Sequence, residues 1–238
     1  MSRNSSPFYK AVSDNAAAID SGLRAFMLKV FNYMGFGLAI TGAVAFLIST
    51  SPELLSVMLS TQMYILLFLA QIGICFYVSF RINRIKASTA QSLFWTFAVL
   101  MGASLSSIFV IYTGESIAST FFITSSMFLS MSLYGYTTGK DLSKLGSILL
   151  MGVIGLIVAS VVNLFMQNSV FSLIISGLGV LIFTGLTAYD VQKIKAFYFS
   201  GDDIEISSKK AIIGALNLYL DFINLFIYIL RFVGMRRD

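Results

Sequence analysis

The stretch AIIGALNLYLDFINLFIYILRF, residues 211–232, holds one carboxylate, Asp221, inside an apolar run of membrane-crossing length. At 1.5 Å rise per residue such a helix reaches about 33 Å, against a hydrocarbon layer of about 30 Å. Gly214, Asn217, Asp221, Asn224, Tyr228 and Arg231 follow one another at spacings of three, four, three, four and three, so they share one helical face. Leucine, isoleucine and phenylalanine fill most of the rest. A helix with a single polar stripe turns it away from lipid. This helix is therefore expected to pack centrally, with Asn217, Asn224 and Tyr228 lining a pore or a packing seam.

Working outward, six more apolar runs precede it, at 27–50, 62–80, 90–112, 116–136, 145–166 and 170–189. Each is long enough to span as a helix. Transmembrane strands would instead be about ten residues of alternating polarity. The composition agrees: 57% apolar, 11% charged and a mean hydropathy of +0.86 in 238 residues. A water-soluble domain carries roughly a quarter charged residues. The expected fold is an all-α integral membrane protein of seven transmembrane helices, with helix 7 central and surrounded by helices 1–6. Residues 1–21 are expected to form a polar cytoplasmic segment and 22–238 the membrane domain. No signal-peptide pattern is read at the start.

Lysine and arginine set the orientation. With the N-terminus inside, 13 of the 16 fall on the cytoplasmic side: Arg3, Lys10, Arg24, Lys29, Arg81, Arg84, Lys86, Lys140, Lys144, Lys193, Lys195, Lys209 and Lys210. The opposite loops carry Glu53 and Glu115 instead. Positive residues flank the cytoplasmic ends of spans, so this pattern predicts a cytoplasmic N-terminus. Arg231, Arg236 and Arg237 fall outside if the last helix crosses fully, and inside if it is re-entrant; the sequence leaves both open. The net charge of +5 is explained by these flanks and does not point to nucleic acid.

Histidine is absent and Cys75 is alone, which removes the usual zinc ligand sets and the usual neutral-pH switch. Ionisable groups within spans are expensive and mark function. Two stand out: Asp221, and Asp190 at the end of the sixth run. On spacing alone Asp190 also reads as a helix-end carboxylate neutralised by Lys193 or Lys195. Asp221 also reads as a packing group, protonated and hydrogen-bonded by Asn217 or Asn224. The pairs Gly102/Ser106, Ala103/Ser107 and Ser126/Ser130 have the small-xxx-small spacing of close helix contacts. Residues 191–210 are expected to form a long cytoplasmic loop.

Several stretches resemble the Bax inhibitor family of membrane proteins, also called the transmembrane Bax inhibitor motif family, and most of all its bacterial YccA-like branch. They are GLRAFMLKVFNYM at 22–34, LSSIFVIYT at 105–113, SLYGYTT at 132–138, FTGLTAYD at 183–190 and ALNLYLDFINLF at 215–226. The resemblance covers nearly all of the chain after residue 20. It implies a seven-helix fold wrapped around helix 7. It also implies a calcium leak gated by pH through two aspartates, at the positions of Asp190 and Asp221, with Arg81 as the partner of the pair. The lysine-rich tail of some eukaryotic relatives has no counterpart in Met235–Asp238.

The chemistry fits that implication. Two carboxylates in a low-dielectric site do not both ionise cheaply; they share a proton and titrate as a pair. Sharing ties two helices together. Losing the proton sets like charges side by side and draws in a cation, and Ca²⁺ suits an anionic oxygen site. The expected function is a pH-sensitive cation leak with no resident cofactor. Asp190 and Asp221 form the gate and line a Ca²⁺ path, and the partners are the bilayer, protons and Ca²⁺. The alternative is a non-conducting regulator that binds another membrane protein. An enzyme is not expected: an intramembrane aspartyl protease needs Gly-x-Gly-Asp at its second aspartate, and Leu218-Tyr219-Leu220-Asp221 lacks it. A proton-coupled transporter would show internal repeats, and none is read. The expected location is a bacterial inner membrane.

Overall fold

The computed structural model describes the backbone of residues 7–237 and the side chains of residues 21–237. The expected polar segment 1–21 therefore lies almost wholly outside the described side chains. Among the described residues the chain forms nine helices: α1 (Pro7–Ser49), α2 (Pro52–Met58), α3 (Thr61–Arg81), α4 (Ala87–Leu105), α5 (Ile108–Ile111), α6 (Gly114–Thr137), α7 (Ser143–Met166), α8 (Ser169–Phe197) and α9 (Ile204–Val233). Seven segments are long and apolar enough to cross a membrane, with α4 and α5 together making the third. The sixth span is α8 and the seventh is α9.

Burial separates α9 from the others. In its most apolar window 67% of residues are buried, against 6–33% for the other six spans. Leu218, Tyr219, Leu225 and Ala215 of α9 are fully enclosed. The helix packs directly against α1, α4, α6 and α8, while α3 and α7 complete the outer ring by packing on α4 and α8. Large apolar side chains such as Phe80, Leu164 and Phe165 point outward. In water such a surface would aggregate; against lipid it needs no polar coat.

Both ends of α9 are pinned. At its start, the Glu205 carboxylate accepts from the Ala87 N–H at 2.6 Å, capping an α4 N-terminus that has no cap of its own. Lys29 Nζ donates to Ser208 Oγ at 2.8 Å. At its end, the chain pairs with the turn before α6. Thr113 N–H donates to the Met235 carbonyl, Arg237 N–H to the Ile111 carbonyl, and Met235 N–H to Ser116 Oγ. Since Ser116 starts α6 and the lysine-rich face lies at the α6 C-terminus, α9 crosses completely. The re-entrant alternative falls. Arg231, Arg236 and Arg237 lie at the end of the molecule opposite the lysine-rich face.

Three boundaries differ from the sequence reading. The loop expected at 191–210 is mostly helix: α8 runs to Phe197 and α9 begins at Ile204. Lysines on extended helix ends reach past the apolar zone, so hydropathy alone reads them as loop. The third span breaks at Ser106-Ser107, where both hydroxyls donate to carbonyls three residues back and the backbone tightens into i→i+3 bonds. Ser51 caps an additional short helix, α2, whose first residue is Pro52.

Helix contacts are closest at glycines. A Cβ on Gly135 of α6 would lie 2.2 Å from the Ala188 carbonyl oxygen of α8, and one on Gly102 would lie 2.6 Å from the Thr41 carbonyl oxygen of α1. Backbone cannot swing aside as a side chain does. Gly135→Val is expected to destabilise by about 1–3 kcal/mol or more, read as a fall in thermal unfolding temperature in detergent. Gly155→Ala, with no atom within 4 Å of the new Cβ, should not lower it.

Candidate functional site

The polar stripe of α9 faces α8 along its length. Gly214 lies against Ile194 and Tyr228 against Gly179. The Tyr228 ring stacks on Phe183 with centroids 5.7 Å apart and planes at 24°. Between these contacts Asp190 and Asp221 meet, side chain to side chain. Asp221 is buried, 5% exposed, and its Oδ2 has no hydrogen-bond partner among the described residues. Asp190 is half-buried and sits two turns inside the C-terminus of α8, so it does not close that helix.

The lysines do not neutralise Asp190 by direct pairing. Lys193 Nζ lies over the Tyr189 and Phe197 rings, 5.8 and 5.9 Å from their centroids. Lys195 Nζ donates to the Tyr136 carbonyl at 2.9 Å, closing the C-terminal turn of α6. Among the described residues the two ion pairs are Lys209–Glu205 and Lys210–Asp202. Lys193 still acts on Asp190 through space, one helical turn away. Asn224 does not serve Asp221: its amide donates to the Leu220 carbonyl at 2.8 Å. Asn217 stands half-buried one turn from Asp221.

Arg81 is not brought to the pair. It is exposed at the end of α3, which packs mainly on α4, and it makes no ion pair among the described residues. Its position at a span end, with the lysine-rich flanks, explains it as a topology residue. No three carboxylate, cysteine or histidine side chains cluster among the described residues, so Asp190 and Asp221 stand as a pair.

Two groups of residues escaped the sequence reading. The first is Thr41, Tyr219 and the Ala98 carbonyl. Thr41 Oγ1 donates to that carbonyl at 2.9 Å, which leaves the Tyr219 hydroxyl to donate to Thr41 at 2.6 Å. This buried chain joins α1, α4 and α9 half a turn from Asp221. The second is the inner face of α6, formed by Ser116, Thr120, Thr124, Phe128, Ser132 and Gly135. The pair singled out on that helix, Ser126 and Ser130, instead faces outward and bonds within its own helix. Gly102 and Ala103 are buried as expected.

Fold and site together define a polytopic helical membrane protein with a carboxylate pair between its central helix and a neighbour. The family model described as "Inhibitor of apoptosis-promoting Bax1" matches residues 23–238. The chain is 40% identical over 228 residues to inner membrane protein YbhL of Escherichia coli K12, covering 94% of this chain and 97% of that one. It is 48% identical to a protein of Rickettsia prowazekii, over 92% of this chain and 93% of the relative. It is also 48% identical to a protein of Borreliella burgdorferi, over 90% and 93%. The chain belongs to the Bax inhibitor-1 family.

The Thr41 chain gives a check on the packing around the site. Tyr219→Phe removes one donor and leaves Thr41 bonded to Ala98, which should cost about 1 kcal/mol. Thr41→Val strands the buried Tyr219 hydroxyl, while the Ala98 carbonyl keeps its partner within α4, and should cost about 1–3 kcal/mol. Thermal unfolding of the two variants in the same detergent measures the difference.

Proposed function

We propose that this protein is a pH-sensitive cation leak, with Ca²⁺ as the ion passed and the Asp190–Asp221 pair as its gate. The observation that carries the reading is the meeting of two carboxyls on facing helices, one of them enclosed with an unpartnered oxygen. When the pair holds a proton, a carboxyl faces a carboxylate and α8 stays against α9. The groove is then shut beside the pair by Tyr228, whose ring fills the gap over Gly179 and stacks on Phe183. When the proton leaves, two like charges face each other in a site that screens them poorly. Repulsion parts the helices, and the same two charges attract a divalent cation to oxygen ligands. Flux should therefore rise with pH. Lys193 is the nearby cation that moderates the repulsion.

The membrane is a bacterial inner membrane with the lysine-rich face in the cytoplasm. The lysine distribution and the likeness to an inner membrane protein of Escherichia coli support that placement.

Ca²⁺ entry into dye-loaded liposomes, followed from about pH 5 to about pH 9, tests the gate. The wild type should pass more ion at the alkaline end. Asp221→Asn should flatten the pH dependence, since an amide neither titrates nor repels. Tyr228→Ala should raise flux at the acidic end by opening the seam without touching the carboxyls. Folded protein that passes no ion at any pH would sink the leak and leave the non-conducting regulator. A double Asn variant at both aspartates with wild-type pH dependence would sink the pair as the gate.

A further inference from the structure

The helices α1 and α6 both pack on α9 but scarcely on each other. At the lysine-rich face their seam opens into a cavity of about 400 Å³. Its lining is layered. Arg24 of α1 and Tyr136 of α6 stand at the mouth. One turn deeper, about 5 Å further in, are Leu28 and Ser132, and a turn below those are Phe31 and Leu129. The Arg24 guanidinium is exposed and has no ion-pair or hydrogen-bond partner among the described residues. Ser132 is 4% exposed, and its hydroxyl is also without a partner among the described residues. Thr124, Ser126, Ser130 and Thr137 of the same helix each bond the carbonyl four residues back. Ser132 thus keeps a free donor beside an apolar cavity, where an unpaired polar group is costly.

We propose that this seam is a specific site for one phospholipid with a net-anionic headgroup. Charge, then hydroxyl, then apolar wall is the order of phosphate, ester carbonyl and acyl chain in such a lipid at the membrane surface. Arg24 binds the phosphate through its planar fork of donors. Turned toward the cavity, the enclosed Ser132 hydroxyl donates to an ester carbonyl, and Phe31 and Leu129 hold the upper part of a chain. A zwitterionic headgroup binds less well, because its own ammonium competes with Arg24. Inorganic phosphate lacks the chain that fills the lower cavity.

Native mass spectrometry of the full-length protein in detergent, titrated with phosphatidylglycerol, phosphatidylcholine of the same chains, or inorganic phosphate, tests the site. The wild type should retain one phosphatidylglycerol in preference to the other two. Arg24→Gln should weaken that binding by about tenfold or more, and Arg24→Lys by less. Ser132→Ala should weaken it several-fold. Leu129→Trp, a change at an exposed position that leaves every charge in place, should block it by filling the groove. Thermal unfolding of each lipid-free variant confirms that it is folded. Equal retention of phosphatidylglycerol by wild type and Arg24→Gln would overturn the proposal. So would equal binding of phosphatidylcholine, or displacement of the lipid by inorganic phosphate. These readouts do not depend on whether the protein conducts ions.

Discussion

A carboxylate deep in a membrane helix must be paired, protonated or wet, and this requirement on Asp221 governs the structure around it. Asp221 cannot face lipid, so α9 moves to the centre, and four helices close around it. The partner it meets is Asp190, another acid, where an arginine or a lysine would have formed a stable pair. An acid facing an acid holds only while a proton is shared. On the proposed reading the contact between α8 and α9 at this point is therefore conditional, unlike the backbone-close contact of α6 with α8 at Gly135.

The tethers around α9 set what that condition can move. Its start is fixed by Glu205 on the α4 N-terminus and by Lys29 on Ser208. Its end is fixed by the backbone pairing with the turn before α6. Its middle is bonded to α1 and α4 through Tyr219 and Thr41. On the opposite side, α8 carries the neighbouring loop with it. Gln192 accepts from the Leu142 N–H and donates to the Lys140 carbonyl, and Lys195 holds the Tyr136 carbonyl. With α9 tied at both ends and on its far side, the proposed gate would move α8 together with the end of α6 and the α6–α7 turn that Gly135, Gln192 and Lys195 hold to it.

Much of this was legible in the residues. Long apolar runs separated by charge mark the spans, because lipid imposes one length on all of them. The three-four spacing of Asn217, Asp221, Asn224 and Tyr228 identified the face of α9 that meets α8. Hydropathy could not show which side of an equally apolar helix faces protein. Ser126 and Ser130 were therefore singled out on α6 when the inner face is Ser116, Thr120, Thr124 and Ser132, with Phe128 completing the four-residue spacing. The signal was present as a hydroxyl stripe of period four. Helix ends beyond the apolar zone were hidden too, since a lysine on a projecting helix and a lysine in a loop have the same composition. Arg81 is the instructive case: a resemblance supplied its role, but the end of α3 lies at the rim, away from α8.

Infrared difference spectroscopy of the carboxyl C=O stretch, across a pH titration of the protein in lipid, tests the shared proton most directly. A protonated-carboxyl band that Asp221→Asn removes or weakens, and that Asp190→Asn shifts in frequency or in the pH at which it is lost, is the predicted result, because each variant removes one half of the pair. If both carboxyls ionise in a single step in the ordinary range, or if the two single variants leave the band untouched, Asp190 and Asp221 share no proton and α8 is held to α9 by packing alone.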